Sequence, residues 1–567
     1  MEEFDLKKEI ASVIKGEVKD DAETLKAASR DTSLFTRMPE LVAYPKNAQD
    51  VAAIVKTVHA AKKAGAEVCV AARAAGTDMS GGPLTTGVVI SFTEHLHKMF
   101  GVHAFPTGPH RPTGEVGDGY AETEPGVFYR DFEKETLKQN LILPSYPASR
   151  ELCAMGGIVA NNSGGERTLE YGKTEKYILA MDVVLSDGST ATFRAYTPEE
   201  VEEKKKLLTL EGAIYRGMDE LLSKNAKLIT AHKPKVSKNS AGYALWNVRD
   251  ERTGSMNLAK LICGSQGTLA LWTSAKLALV KPKEHRAMLV IFLSDLAILP
   301  EIVKRVLPQH PESFESYDDH TFTLAVKLLP AMLKQMGFVK AARLGVDFIP
   351  EAAMVATGGV PKLILMAEFA EDTIEEADAK AIAAREALNG LDVHTKIEKN
   401  EKESEKYWIV RRESFSLLRK SIHGMYASPF IDDFVVPPET YPVFLPKLNA
   451  LLDEYKSHFI YTIAGHIGNG NFHIIPLMDL SKEENRNVIL ELAPKVYELV
   501  IAEGGTTTGE HNDGIIRTPY LPMLFGAEMV ALFAEVKNLF DPENILNPGK
   551  KVGGSFEDIK RDMITGM

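Results

Sequence analysis

Cysteine is scarce in this chain. There are 3 in 567 residues. Cys69, Cys153 and Cys263 lie far apart and form no CxxC pair. That spacing excludes a disulfide framework, a zinc finger and an iron–sulfur site built from this sequence. Each stands in an apolar or glycine-rich setting, where a buried, reduced thiol is the default. Positive charge is short as well. The formal net charge is −12, and no long basic cluster interrupts it. A nucleic-acid surface is therefore not expected. No apolar run reaches the length of a membrane span. The opening MEEFDLKKEI is acidic and amphipathic, unlike a secretory signal. The expectation is a cytoplasmic protein, with peripheral membrane contact left open. No G-x-G-x-x-G opens a long helix inside a βαβ unit, so a Rossmann fold is not expected. There is no internal repeat and no low-complexity linker.

What is present is a large globular chain. The hydrophobic fraction of 44% is ample for a core, and the length predicts more than one domain. The stretch around which the chain is organised is Ala464–His473, AGHIGNGNFH. Phe459–Ile463 before it and Phe472–Ile475 after it read as strands. Gly468-Asn469-Gly470-Asn471 between them is hairpin-turn chemistry, because Gly and Asn tolerate positive φ. A hairpin brings its flanks together, so His466 and His473 can face one ion. Downstream, Gly509-Glu510-His511 adds a carboxylate and a third imidazole. Two neutral imidazoles and one carboxylate are a common ligand set for Zn, Mn or Fe, with positions left open for substrate. Either histidine alone would be an ordinary polar residue; the pair with Glu-His downstream points to a site.

Three small-residue stretches come earlier. A short strand, Leu41–Lys46, and an amphipathic helix, Ala48–Ala64, precede a buried strand over Val68–Ala72. That strand runs into Arg73-Ala74-Ala75-Gly76-Thr77-Asp78. Missing side chains let backbone N–H groups approach a phosphate, and hydroxyls can add donors. The second stretch is Met155–Gly165 and the third Cys263–Leu269. Each alone is a weak signal, since tight turns are common. Three of them, each joined to a β-like run, fit loops converging on one extended diphosphate ligand.

The remainder reads as α+β. Residues 1–30 read as one or two helices. His285–Leu293 and Pro361–Phe369 read as strands, with Leu299–Val306 and Thr373–Leu388 as helices. Tyr407–Glu413 opens a helix carrying Arg411. Arginine suits bidentate capture of a carboxylate, although on a helix it is more often solvated or salt-bridged.

Taken together these motifs resemble the FAD-linked oxidases of the vanillyl-alcohol-oxidase (PCMH) type, and within them the D-lactate, glycolate and D-2-hydroxyglutarate dehydrogenase branch. The resemblance runs from about Asp31 to Lys551. It is carried by MGGIVANNSGG at Met155–Gly165, GSQGTL at Gly264–Leu269, HIGNGNFH at His466–His473, GEH at Gly509–His511 and FDPENILNPGK at Phe540–Lys550. It implies a helical lead-in over 1–36, a two-subdomain FAD-binding domain over 37–280, and an antiparallel-sheet cap over 281–567 whose last part returns to the flavin. It implies a non-covalent FAD held by Arg73, Ala74, Ala75, Gly76, Thr77, Asp78, Gly156, Gly157, Asn161, Ser163, Gly164, Gly165, Gln266, Gly267, Leu269 and Asn547. It assigns a divalent metal to His466, His473 and Glu510, the base to His511, and the substrate carboxylate to Arg411.

The implied activity is oxidation of a small D-2-hydroxy acid by hydride transfer to flavin. Electrons would pass to a partner: an electron-transferring flavoprotein, an iron–sulfur protein or a quinone. A homodimer stays open. Other flavin readings on the same fold are an oxygen-using alcohol or phenol oxidase and a non-catalytic flavin subunit. The pattern departs from the family at Ala74-Ala75, where glycines are usual, and at Gln266, where glutamate is. Phe415, Ile431 and Ile475 stand where the hydroxyglutarate enzymes hold polar substrate contacts. That favours a small or apolar-tailed acid.

Overall fold

Three main sheets and the helices packed on them make up the residues described by a computed structural model: 5–106, 116–319, 360–399, 402–411, 424–461 and 463–565. The first sheet has four strands, in the order Glu17–Lys19, Leu41–Tyr44, Val88–Ser91 and Val70–Arg73. The last three are parallel, joined by crossovers that include the helix Ala48–Lys63. Asn47 caps that helix, accepting from the Asp50 N–H, and Val51, Ile54, Val55 and Val58 form its buried stripe. The second sheet has six antiparallel strands, with Leu271–Leu279 at its centre between Gly119–Thr123 and Ile178–Val184. The lead-in holds two helices, Leu6–Val13 and Ala22–Ala28, and a short strand between them that the sequence did not announce.

The third sheet has seven strands, ordered His394–Glu398, His285–Leu293, Leu363–Glu371, Ser313–Asp318, Ile463–His466, Asn471–Ile474 and Phe434–Val435. Its pairings are antiparallel. Side chains alternate across it. Leu289, Ile291, Ala367 and Phe314 point into a core shared with the helices Leu299–Val306, Ile374–Ala387, Tyr441–Glu454 and Glu483–Ala502. Met288, Val290, Tyr317 and Met366 point the other way, against Tyr407, Trp408 and Val410 of the helix over 402–411. That second face turns toward the glycine-rich loops.

Several expectations need correction. Of the strand read over Phe459–Ile463, Ile463 is strand, Phe459 and Tyr461 are not, and Ile460 forms a lone bridge to Leu477. That strand runs on through Ala464-Gly465-His466, and Asn471, read as turn, opens the return strand. Met155–Ala160 is a short helix rather than a loop. Arg411 ends a described helical run that starts at 402, earlier than expected. The stretch Gly514–Phe540 is, by length and composition, long and apolar enough to cross a bilayer, with mean hydropathy 1.3. In the fold its chain kinks at Gly526, and Phe525, Met529, Phe533, Val536 and Phe540 pack into the core around the second sheet. Phe415 and Thr462 lie outside the described residues.

The hairpin turn is sterically tight. Gly470 has φ +74, and a Cβ there would sit 1.8 Å from the Val436 carbonyl oxygen. Gly470→Ala is expected to cost about 3 kcal/mol or more. An unchanged melting temperature for the purified variant would show that the turn is looser than this.

Candidate active site

A cavity of about 340 Å3 lies between the glycine-rich loops and the seven-stranded sheet. Ala74, Ala75, Gly76, Thr77 and Asp78 line it from one loop. Gly156, Gly157, Asn161, Ser163 and Gly164 line it from the Met155 helix and the turn after it, and Gln266 and Gly267 from the third loop. Arg411, His466, His473, Glu510 and His511 close the opposite end. The loops fit close approach by a bulky group. A Cβ on Gly157 would meet no protein atom within 4 Å, whereas one on Gly156 would press within 2.9 Å of the Pro125 oxygen. One glycine thus faces the cavity and its neighbour seats the helix. Among the described residues lining the cavity, Arg411 is the sole lysine or arginine. A diphosphate there would meet backbone and hydroxyl donors.

Four expected cofactor residues do not line the cavity. Arg73 turns away and donates to the Arg30 carbonyl at 2.7 Å. Gly165 is backed by the Tyr146 carbonyl, 2.2 Å from where a Cβ would be. Leu269 is core. Asn547 ties loops together, donating to the Gly82 and Gln266 carbonyls at 2.9 and 2.8 Å. Ile431 is core as well, so only Ile475 of the two described apolar positions reaches the cavity.

The hairpin register puts both histidines on one sheet face. Ala464 pairs with His473 and His466 with Asn471, so the two imidazoles are diagonal neighbours. Both Nε2 atoms point at Glu510 Oε1, His466 at 3.2 Å and His473 at 3.4 Å. Two donors held by one tetrahedral ion at Zn–N and Zn–O lengths stand roughly 3.3 Å apart. The spacing therefore suits either direct N–H···O contacts or a shared ion. Each ring's far nitrogen has its own carboxylate: Glu315 Oε1 at 2.6 Å from His466 Nδ1, and Asp432 Oδ1 at 3.0 Å from His473 Nδ1. Such carboxylates fix the tautomer that leaves Nε2 free to ligate. Asp432 Oδ2 also accepts from His511 Nδ1 at 2.6 Å.

A different quartet, Asp433, His473, Glu510 and His511, has its donor atoms within 4.8 Å of one another. Asp433 is a poor ligand, because its carboxylate is already committed. It accepts from the Glu510 and His511 N–H groups, the Thr508 hydroxyl and the Asn471 amide. Asp433 has φ +70, a region Asp tolerates, and it clamps the Glu510-His511 backbone in place. His511 Nε2 stands 3.8 Å from Glu510 Oε1, farther than either hairpin imidazole. His466, His473 and Glu510 are thus the better donor set.

Charge is balanced by partners far away in sequence. Burial pushes the Glu510 carboxyl up. Lys238, whose Nζ donates to Glu510 Oε2 at 3.0 Å, and then His466 hold it well below the usual carboxylate range. Burial opposes the charge on His473, yet Asp432 and Glu510 raise it to about 10. A metal ion would have to displace that proton. Lys173 bolts the loop before Glu510, donating to the Gly509 carbonyl at 2.7 Å, and burial lowers it to about 8. Sequence reading missed Lys238, Glu315, Asp432 and Asp433. Asp432-Asp433 could have been found: two carboxylates inside the apolar run Phe430–Val436 are costly unless employed.

Residues 39–194 match the family model described as FAD binding domain. Residues 282–551 match that of FAD linked oxidases, C-terminal domain. The chain is 25% identical to a D-2-hydroxyglutarate dehydrogenase of Pseudomonas putida over 95% of its own length and 51% of that protein's. It is 27% identical to one of Escherichia coli, with 92% and 49% covered. It is also 27% identical to a D-lactate dehydrogenase of Archaeoglobus fulgidus, with 90% and 91% covered. The chain therefore spans about half the length of those D-2-hydroxyglutarate dehydrogenases. Among solved structures, a 4-ethylphenol oxidase from Gulosibacter chungangensis superimposes with TM-score 0.67 at 15% identity, covering 97% of both chains. An alkyldihydroxyacetonephosphate synthase gives TM-score 0.65 at 14% identity, covering 97% and 86%. These last two bear on the fold alone. With an FAD-binding domain ahead of an oxidase C-terminal domain, and with this α+β architecture, the chain belongs to the FAD-linked oxidases.

Proposed function

We propose that the protein is an FAD- and divalent-metal-dependent dehydrogenase of D-2-hydroxy acids, of D-lactate-like size, that passes its electrons to a partner acceptor. The observation that carries this is the meeting, at one end of the FAD-loop cavity, of His466, His473, Glu510, His511 and Arg411. The names of the relatives support a hydroxy-acid substrate. When bound, the flavin supplies the two-electron acceptor and a Zn, Mn or Fe ion supplies Lewis acidity toward a hydroxyl.

The chain's own residues do the rest. His466, His473 and Glu510 hold the ion. Arg411 takes the carboxylate, which orients the C2 hydrogen toward the loop side of the cavity. His511, with Nδ1 bonded to Asp432, offers Nε2 to the hydroxyl proton. Ile475 and Ala464 give the described walls near this end an apolar character. They provide no second cation for a second carboxylate, which favours a monocarboxylate over 2-hydroxyglutarate. The acceptor would be an electron-transferring flavoprotein, an iron–sulfur protein or a quinone.

The test is anaerobic bleaching of the flavin band by a panel of D- and L-2-hydroxy acids, before and after chelation. A D-monocarboxylate is expected to bleach it fastest, with the rate lost on chelation and restored by Zn or Mn. Oxidised spectra unchanged by every acid, in protein holding FAD and metal, would sink the dehydrogenase reading.

A further inference from the structure

We infer that Glu315 is a positioning residue that couples the carboxylate-binding arginine, Arg411, to the metal ligand His466. This rests on the function proposed above and adds a residue that neither motif nor spacing marks.

Glu315 is 1% exposed, in a strand whose six residues are all buried. A carboxylate there is expensive unless both oxygens are used. They are. Ser316 pairs with Gly465 and Tyr317 with Ala464, and the same antiparallel register carries Glu315 opposite His466. Oε1 accepts from His466 Nδ1 at 2.6 Å. Oε2 meets Arg411 Nη2 at 3.2 Å. Arg411 arrives from the other side, at the end of the described run 402–411, whose Tyr407, Trp408 and Val410 pack on the same sheet face. Trp408 donates to Glu368 and anchors that helix. Arg411 Nε is buried with no hydrogen-bond partner among the described residues, and the side chain lines the cavity. Glu315 fixes the plane of that guanidinium where it borders the cavity. One rigid carboxylate sets both the tautomer of a metal ligand and the aim of the substrate clamp.

Glutamine separates these roles, since it has one acceptor and one donor. With its oxygen on His466, its NH2 faces a guanidinium that cannot accept. With its oxygen on Arg411, its NH2 forces the proton of His466 onto Nε2 and removes the lone pair. The experiment measures metal affinity of the flavoprotein by chelator competition, and KM and kcat at saturating metal. Glu315→Gln is expected to weaken metal binding by about 10–100-fold. It should also raise KM for the hydroxy acid by about tenfold, with a smaller change in kcat. Asp562→Asn, at a buried carboxylate paired with Arg37 and outside the cavity lining, is the control and should leave both unchanged. Metal affinity and KM within about twofold of wild type, at full FAD content, would overturn the proposal.

A purely structural role would lower the unfolding midpoint and the FAD content without moving either constant. If Glu315→Gln yields no folded flavoprotein, Arg411→Met carries the test. It touches no metal donor, yet a shift in metal affinity of about threefold or more is expected through the shared carboxylate. No shift overturns the coupling. Wild-type protein that takes up no metal fails the parent reading before any variant is made, and the coupling falls with it. The ratio of variant to wild type judges Glu315 alone.

Discussion

Replacing Asp432 by Asn is expected to cut turnover on the order of 10³-fold while leaving FAD in place. Asp432 is fully buried, and its carboxylate is shared between two imidazoles: Oδ1 takes His473 Nδ1 at 3.0 Å and Oδ2 takes His511 Nδ1 at 2.6 Å. The two rings stack with centroids 5.1 Å apart, so neither can swing away without disturbing the other. Arg517 donates to the Asp432 carbonyl at 2.7 Å and holds the backbone. An Asn side chain has the same shape but one acceptor and one donor. The ring that faces its NH2 must accept at Nδ1 and carry its proton on Nε2. If that ring is His473, the lone pair for the metal is gone. If it is His511, the proton sits where one has to be received. Both choices disable the site, and an isosteric change leaves little packing penalty to confuse the outcome. Steady-state turnover, metal content and flavin content of the purified variant decide it. A loss below about tenfold, with metal retained, would place the base elsewhere.

Lys238→Met has the second large effect, on stability. The Lys238 side chain is wholly buried and ion-paired with Glu510, itself 6% exposed. Removing Lys238 leaves the buried Glu510 carboxylate with only the imidazoles opposite it, and breaking a buried pair typically costs about 3–5 kcal/mol. Met keeps the volume, so the cost is electrostatic. Glu510 lies below its ordinary value in the folded protein, so its pairing contributes stability that is full above the unfolded value of 4.5 and lost as pH falls through the lower, folded value. The gap between wild type and variant in metal-free denaturant midpoint should therefore be widest at neutral pH and narrow below pH 4.5. Added divalent metal should recover part of it, since a dication replaces the missing ammonium. A gap that does not change with pH would mean that Met packs badly and that the ion pair is not the cause.

The parts of this site that could be read from sequence are those encoded within a few residues. His466 and His473 flank a turn whose glycine requirement has a local part, φ +74 at Gly470; the Val436 carbonyl pressed against it is a tertiary contact. Strand His285–Leu293 and helix Leu299–Val306 follow from their own periodicity and match the expected bounds. Arg73, assigned to the cofactor by the family resemblance, does not line the cavity. Its guanidinium is instead spent on the carbonyls of Ala28 and Arg30. The apolar run before Ala464 misled, since tertiary pairing starts the strand late.

Sequence by itself determined the turn, the loops small enough for a diphosphate and the donor types needed for a metal, because backbone sterics and side-chain chemistry act at short range. Only the tertiary structure decided which carboxylate serves which imidazole. Glu315 lies 151 residues from His466, Asp432 lies 41 from His473 and 79 from His511, and Lys238 lies 272 from Glu510. Those pairings follow from strand register and from the burial of charges that must find a partner. Both are properties of the packed chain, which no local window of residues contains.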